Sequence, residues 1–198
     1  NLYFKEDIQS AVGYADLYLE TIKKCEVFSC YNLYDANTKG YRPSFDLYKS
    51  YKKQTLWKEV FNIGNFALNK YNWIKALSYK KVLVITPLGE EISKERRNPN
   101  NFFKGNKLLE ETIFSFMEYK IGQIEDMDPI QIINLYLANV SQADFDIALL
   151  DCQGIGNILA YNIYKQLNKT AINVGSELPL LFGIYTEEYK KRNSDVSK

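Results

Sequence analysis

Three stretches of the sequence predict an α/β fold. Residues 82–85 (VLVI) form a continuous apolar, β-branched run between Lys80-Lys81 and Thr86-Pro87. A run without polar alternation is the pattern of a strand buried on both faces, as in a parallel sheet. Residues 112–119 (TIFSFMEY) alternate like a second strand. Residues 145–150 (FDIALL) are a third, followed by a turn with two glycines, a helical segment at 158–167, a strand at 170–174 (TAINV) and another glycine turn. Strand, turn, helix and strand in that order make a βαβ unit. The architecture expected is Rossmann-like: a mostly parallel sheet with helices on both faces, preceded by a helical N-terminal part.

Taken in order, Ile8, Ala11, Ala15, Tyr18, Leu19 and Ile22 recur at three-to-four spacing and predict a first helix. Asp7 is placed to cap it, and Lys23 and Lys24 suit its C-terminal end. Residues 26–31 (EVFSCY) read as a short strand. Residues 34–53 are aromatic and basic, broken by Gly40 and Pro43, and 54–77 read as one or two helices. After the strand at 82–85, residues 88–97 read as a helix and 98–105 as a loop. Residues 129–143 read as a helix with Pro129 in its first turn and Ile132, Ile133, Leu135, Tyr136 and Val140 on its apolar face. The acidic residues before it, Glu125, Asp126 and Asp128, read as a capping loop rather than a cation site. Residues 178–184 are apolar, and the tail from 186 is charged. The expected organisation is one domain over 1–185, mainly helical to 79 and Rossmann-like from 80, with a tail at 186–198.

Composition narrows the chemistry. The 198 residues include 25 Lys plus Arg, 24 Asp plus Glu and no His, a formal net charge of +1. That balance argues against a generally basic nucleic-acid surface. Without His, the chain has no His general base, no Ser-His or Cys-His pair and no His metal ligand. Three cysteines (Cys25, Cys30 and Cys152) are too few for a disulfide framework and fit a reducing compartment, so a cytoplasmic location is expected. No apolar run is long enough for a membrane span.

In open α/β sheets ligands bind beyond the carboxyl ends of the strands. Three turns fall at such ends: Thr86-Pro87-Leu88-Gly89-Glu90, the segment from Asp151 to Asn157, and Gly175-Ser176-Glu177. Parallel strands would bring all three to one edge. Gly154-Ile155-Gly156 ahead of a helix suits close approach to a phosphate, and equally suits tight packing of helix on sheet. The third glycine of a dinucleotide fingerprint is missing, Leu159 standing there. Glu90 and Glu91 either complement a helix dipole or supply a carboxylate to a ligand; Lys94, Arg96 and Arg97 either balance phosphate or sit on a solvated helix face. Asp144 and Asp146 fall at the opposite strand end and read as surface charge, whereas Asp151 lies at the site end. The Tyr/Lys-rich stretch at 41–53 reads mainly as a core edge with solvated lysines.

Residues 80–92 (KKVLVITPLGEEI) and 144–184, with a DFD element, a glycine turn and a terminal LFGI, resemble a bacterial and viral polysaccharide-biosynthesis family related to GT-D-type glycosyltransferases. The likeness spans about 80–185. The family's Pro and Glu fall on Pro87 and Glu90, its glycine turn on Gly154 and Gly156, and its Gly-Gly turn on Gly175 and Ser176. Its His ahead of that turn is Asn173, and the Gly-x-Arg-Trp that often follows LFGI is absent. No Asp-x-Glu element of the GT-D type is found before Asp7.

The resemblance implies a domain that binds a nucleotide-sugar and transfers the sugar to a glycan or protein acceptor. Glu90 and Glu177 are then the candidate catalytic residues. Thr86, Pro87, Gly89, Lys94, Asp151, Gly154, Gly156, Asn157, Asn173, Gly175 and Ser176 are the candidate binding residues. Mn²⁺ or Mg²⁺, held by Asp and Glu oxygens, is the expected metal. Further domains of a longer protein, or a second copy, are the expected protein partners. The other reading is a non-catalytic nucleotide-sugar-binding or scaffolding domain that keeps the fold without the Asp-x-Glu element.

Overall fold

The structure, a computed structural model, describes residues 8–25, 74–95, 111–124 and 127–185. The expectations for Asp7, the strand at 26–31, the aromatic stretch, Glu125, Asp126, Arg96, Arg97, the loop at 98–105 and the tail lie outside the described residues. So does the helical reading of 54–77 up to residue 73. The chain divides into two compact units, Asn1–Phe61 and Asn62–Lys198.

In the first unit, helix α1 spans Ile8–Lys24 with Lys23 and Lys24 in its last turn, where they oppose the partial negative charge of the exposed carbonyls. Lys24 also pairs with Glu20 one turn back, at 3.0 Å. The buried Thr21 hydroxyl donates to the Leu17 carbonyl oxygen, so this polar group is satisfied within the helix.

Among the described residues of the second unit, four strands form one parallel sheet: β1 (Lys81–Thr86), β2 (Ile113–Glu118), β3 (Ile147–Leu150) and β4 (Thr170–Asn173), in the order β2-β1-β3-β4. The α/β, Rossmann-like expectation holds. VLVI becomes the centre of β1, paired on both sides and buried from Val82 to Thr86. A strand with neighbours on both sides and cover on both faces has no polar-facing position to fill. That is why its sequence does not alternate.

Among the described residues, four helices accompany the sheet: α2 (Gly89–Lys94), α3 (Ile121–Ile124), α4 (Pro129–Ser141) and α5 (Gly156–Leu167). Successive strand side chains take opposite faces. Val82, Val84 and Leu149 share one face with Ile92 of α2 and two 3₁₀ turns, Ile74–Leu77 and Leu178–Phe182. Phe182 meets Phe114 and Phe116 edge-on, at 5.4 and 5.5 Å between centroids. The other face takes α5, which packs on β4 and β3 and carries α4 beside it. The apolar run after β4 is thus a 3₁₀ turn closing one side of the core.

Local chemistry sets the element ends. Asp128 caps α4: its carboxylate accepts from the Ile130 and Gln131 amides, and Gln131 Oε1 accepts from the Asp128 amide, with Pro129 in the first turn. The capping reading of Asp128 is the one realised. Asn168 ends α5 in the left-handed region, as short polar side chains can. At the amino ends of the strands, Asp146 accepts from the Lys81 amide at 2.9 Å and Lys81 pairs with Asp144, so these carboxylates sit at the edge opposite the candidate site. The helix after β1 ends at Lys94, three residues short of the sequence expectation, and α5 starts at Gly156, two residues ahead of it.

Candidate functional site

The strand order runs outward in two directions from the central pair. From β1 the chain goes to β2 on one side; from β3 it goes to β4 on the other. Such a reversal leaves a crevice beyond the carboxyl ends of the two central strands, because the loops there diverge to opposite faces. All four strands are parallel, so the turns after β1, β3 and β4 stand on one edge, and the candidate residues are brought together there.

At the centre of that edge are Thr86 and Asp151, the residues that follow the last β1–β3 pair, Ile85 and Leu150. Both are buried; Asp151 is 8% exposed and Thr86 fully enclosed. The Thr86 hydroxyl donates to Asp151 Oδ2 at 3.2 Å, and the Asp151 amide donates to the Ile85 carbonyl at 2.7 Å. A buried carboxylate needs such donors to offset its lost hydration. Cys152 follows, fully buried, its thiol within 3.9 Å of the Ile85 carbonyl oxygen. Burial pushes this thiol well above its ordinary pKa, and the neighbouring Asp151 carboxylate pushes it further. Cys152 is therefore a small apolar filler and not a nucleophile.

The two glycines that begin helices serve packing. Gly89 is buried where α2 meets the end of β2, and a Cβ there would stand 2.9 Å from the Met117 carbonyl oxygen. Gly156 begins α5 directly against the Asn173 carboxamide, which a Cβ would overlap. Asn173 faces α5 because its neighbours Ile172 and Val174 join the core on the opposite face. Its Nδ2 donates to Asn157 Oδ1 at 2.9 Å, while its Oδ1, buried against Gly156, has no hydrogen-bond partner. Of the two roles open to this glycine in the sequence, the close approach of helix to sheet accounts for it.

Gly154 is exposed, and so is Gln153, which adopts φ +49° although it is not a glycine. Gly175 takes φ +78°, a conformation that glycine adopts without strain, and Val174 and Gly175 both donate to the Leu150 carbonyl. That turn draws the end of β4 toward the end of β3. Ser176 is exposed, and Glu177, half-buried, precedes the 3₁₀ turn without capping it through its side chain. Pro87 is half-buried between Thr86 and α2.

Glu90 and Lys94 stand toward the β2 side of the edge and are tied to each other, at 2.9 Å across one helical turn. Lys120, just past β2, lies 3.9 Å from Glu90 and 3.7 Å from Glu118. Lys94 holds Glu90 below the usual carboxylate range, with Glu118 and Lys120 adding to the effect, and Glu90 in turn raises Lys94. An exposed, ion-paired carboxylate with a lowered pKa is a weak proton acceptor near neutral pH.

Lys120 and Gln153 have no counterpart among the residues singled out from sequence. Lys120 reaches Glu90 only through strand pairing, and no local pattern marks a glutamine for positive φ. Among the described residues no three His, Cys, Asp or Glu side chains converge on a point that could hold a metal ion. No described helix is long and apolar enough to cross a membrane.

Comparison with protein-family models, characterised proteins and solved structures returns no match. The likeness to GT-D-type enzymes rests on the motifs of this sequence alone.

Proposed function

We propose that this chain is a glycosyltransferase-like domain that binds a nucleotide-sugar at the carboxyl-end edge of its sheet and transfers the sugar to a glycan or protein acceptor. The observation that supports it most is the reversal of strand order at β1 and β3, with Thr86 and Asp151 buried at the ends of those strands. A reversal of this kind is where doubly wound folds bind ligands. On this reading the exposed backbone at Gly154 lies along the diphosphate, and Asn157 helps to hold the first turn of α5 beside it. Glu177 contacts sugar hydroxyls or takes the acceptor's proton; Glu90, already ion-paired, is the weaker candidate for that work. A developing diphosphate charge calls for aligned amides or cations. A cytoplasmic location belongs to the same reading, supported by the low, odd cysteine count of the sequence.

A second reading is favoured by a specific observation: Glu90, the carboxylate that the resemblance singles out, is engaged by Lys94 and Lys120. The domain then binds the nucleotide-sugar, or scaffolds partners, without transferring sugar. A thermal-shift screen of UDP-, GDP-, CMP- and dTDP-sugars, each with and without Mn²⁺, separates the readings. A ligand held only by the folded state stabilises it by roughly 2.7 kcal/mol at a hundredfold excess over its dissociation constant. A selective rise in melting temperature that Gly154→Val abolishes supports donor binding, and sugar release from that donor then supports transfer. No rise with any nucleotide-sugar rejects donor binding by this chain.

A further inference from the structure

Among the described residues, four that are not glycine adopt positive φ: Tyr79 (62°), Glu111 (45°), Gln153 (49°) and Asn168 (52°). Three of them stand at the amino-end edge of the sheet. Tyr79 precedes β1, Glu111 precedes β2, and Asn168 ends α5 just ahead of β4. Asn168 is also a residue type that tolerates the left-handed region. Gln153 is the one at the carboxyl-end edge, two residues past the buried Asp151 and in the turn that leaves β3.

A glycine takes this conformation without steric cost, whereas a side chain there is strained. The chain does have a glycine in this turn, but at position 154, which is not among the positive-φ residues. The glycine stands one place after the position that calls for it, and a long polar side chain occupies the strained place instead. The Gln153 backbone is committed to the turn, its carbonyl oxygen accepting from the Gly156 amide. The side chain is exposed at the edge. Strain held at a binding edge, with a side chain where the backbone favours none, points to work for that side chain.

We propose that Gln153 is a specificity-determining residue whose carboxamide contacts the sugar hydroxyls of the bound nucleotide-sugar. The proposal rests on the nucleotide-sugar reading of this edge. A carboxamide both donates and accepts, which matches a hydroxyl that does the same. The turn from Asp151 to Asn157 contains no Lys or Arg. Lys94 and Lys120 lie on the far side of the edge, paired with Glu90 and Glu118. With no cationic side chain in this turn, the Gln153 carboxamide suits a neutral, hydroxyl-bearing sugar next to the diphosphate that the Gly154 backbone lies along.

The test is calorimetric titration of wild type, Gln153→Gly and Gln153→Asn with UDP-glucose, GDP-mannose, dTDP-glucose and CMP-sialic acid, and with UDP, GDP, dTDP and CMP alone. Gln153→Gly is expected to melt at least as high as wild type, because glycine accepts the backbone conformation. It is expected to bind the sugar-bearing ligand roughly tenfold more weakly while binding the sugar-free nucleotide as wild type does. Gln153→Asn, which keeps the carboxamide on a shorter stem, is expected to fall between. Undiminished binding of the sugar-bearing ligand by Gln153→Gly overturns the proposal and leaves the site reading intact. Equal loss for sugar-bearing and sugar-free ligands, or a lower melting temperature in Gln153→Gly, also overturns it. Failure of wild type to bind any of these ligands overturns the site reading itself, and the role of Gln153 with it.

Discussion

The hydroxyl of Thr86 donates to the carboxylate of Asp151 across the ends of β1 and β3, 65 residues apart in the chain and both buried. The bond joins the two central strands at the point where the strand order reverses. Replacing Thr86 with Val keeps the shape and removes the donor. A buried carboxylate that loses a donor costs about 1–3 kcal/mol. Urea denaturation of Thr86→Val is expected to show that loss with an unchanged m-value. A stability equal to wild type would mean that Asp151 does not depend on this hydroxyl.

Gly89 and Gly156 make opposite demands on their surroundings. A Cβ at Gly89 meets the backbone of Met117 and Glu118, which cannot step aside. Overpacking of this kind costs about 1–3 kcal/mol, enough to outweigh the better helix propensity of alanine. The atoms nearest to a Cβ at Gly156 all belong to the Asn173 side chain. Gly156→Ala is expected to be destabilising alone and to recover when Asn173→Ala is added, since that change removes both the obstacle and the buried, unpaired oxygen. Purely additive effects in the double mutant would show that the two residues do not interact.

Several elements were legible in the sequence for simple reasons. VLVI and IALL lack alternation because β1 and β3 are covered on both faces, and the βαβ order implies parallel strands, so the shared edge is legible in the sequence. The roles of individual residues at that edge were less legible. A glycine before a helix looks the same in sequence whether it approaches a ligand or an asparagine, as Gly156 does. Glu90 looks available until Lys120 arrives from the end of β2, a contact made by strand pairing and not by spacing. Gln153 carries no signal in the sequence, because its positive φ is set by how the turn leaves β3 and the neighbouring glycine stands one position later.

Cys152 carries a pH dependence. Its thiol is raised by burial in the folded chain and returns to the ordinary range, about 8.5, on unfolding. Above that value the unfolded state gives up its proton first, so the thiol's contribution is whole below about pH 8.5 and is lost as pH rises toward the folded pKa. Wild type is expected to lose stability between about pH 8.5 and 10 more steeply than Cys152→Ala. Iodoacetamide is expected to alkylate Cys152 only under denaturing conditions. Rapid alkylation of Cys152 in the folded protein would contradict its burial.

Glu90 carries the reverse sign. Lys94 lowers its folded pKa, so its contribution is present above the ordinary carboxylate value and is lost as pH falls through the folded one. The melting-temperature difference between wild type and Glu90→Gln is expected at neutral pH and is expected to vanish in acid below the ordinary carboxylate range. A difference that persists or grows in acid would mean that Lys94 is not the source of the shift.

Amide hydrogen exchange, with and without a saturating nucleotide-sugar, tests most directly whether the crevice at β1 and β3 is the binding site. Protection is expected in the turns at 86–90, 151–157 and 174–177, with the amino-end edge around Lys81, Asp144 and Asp146 unchanged. Protection confined to that opposite edge, or no change at the three turns with any nucleotide-sugar of the panel, would contradict it.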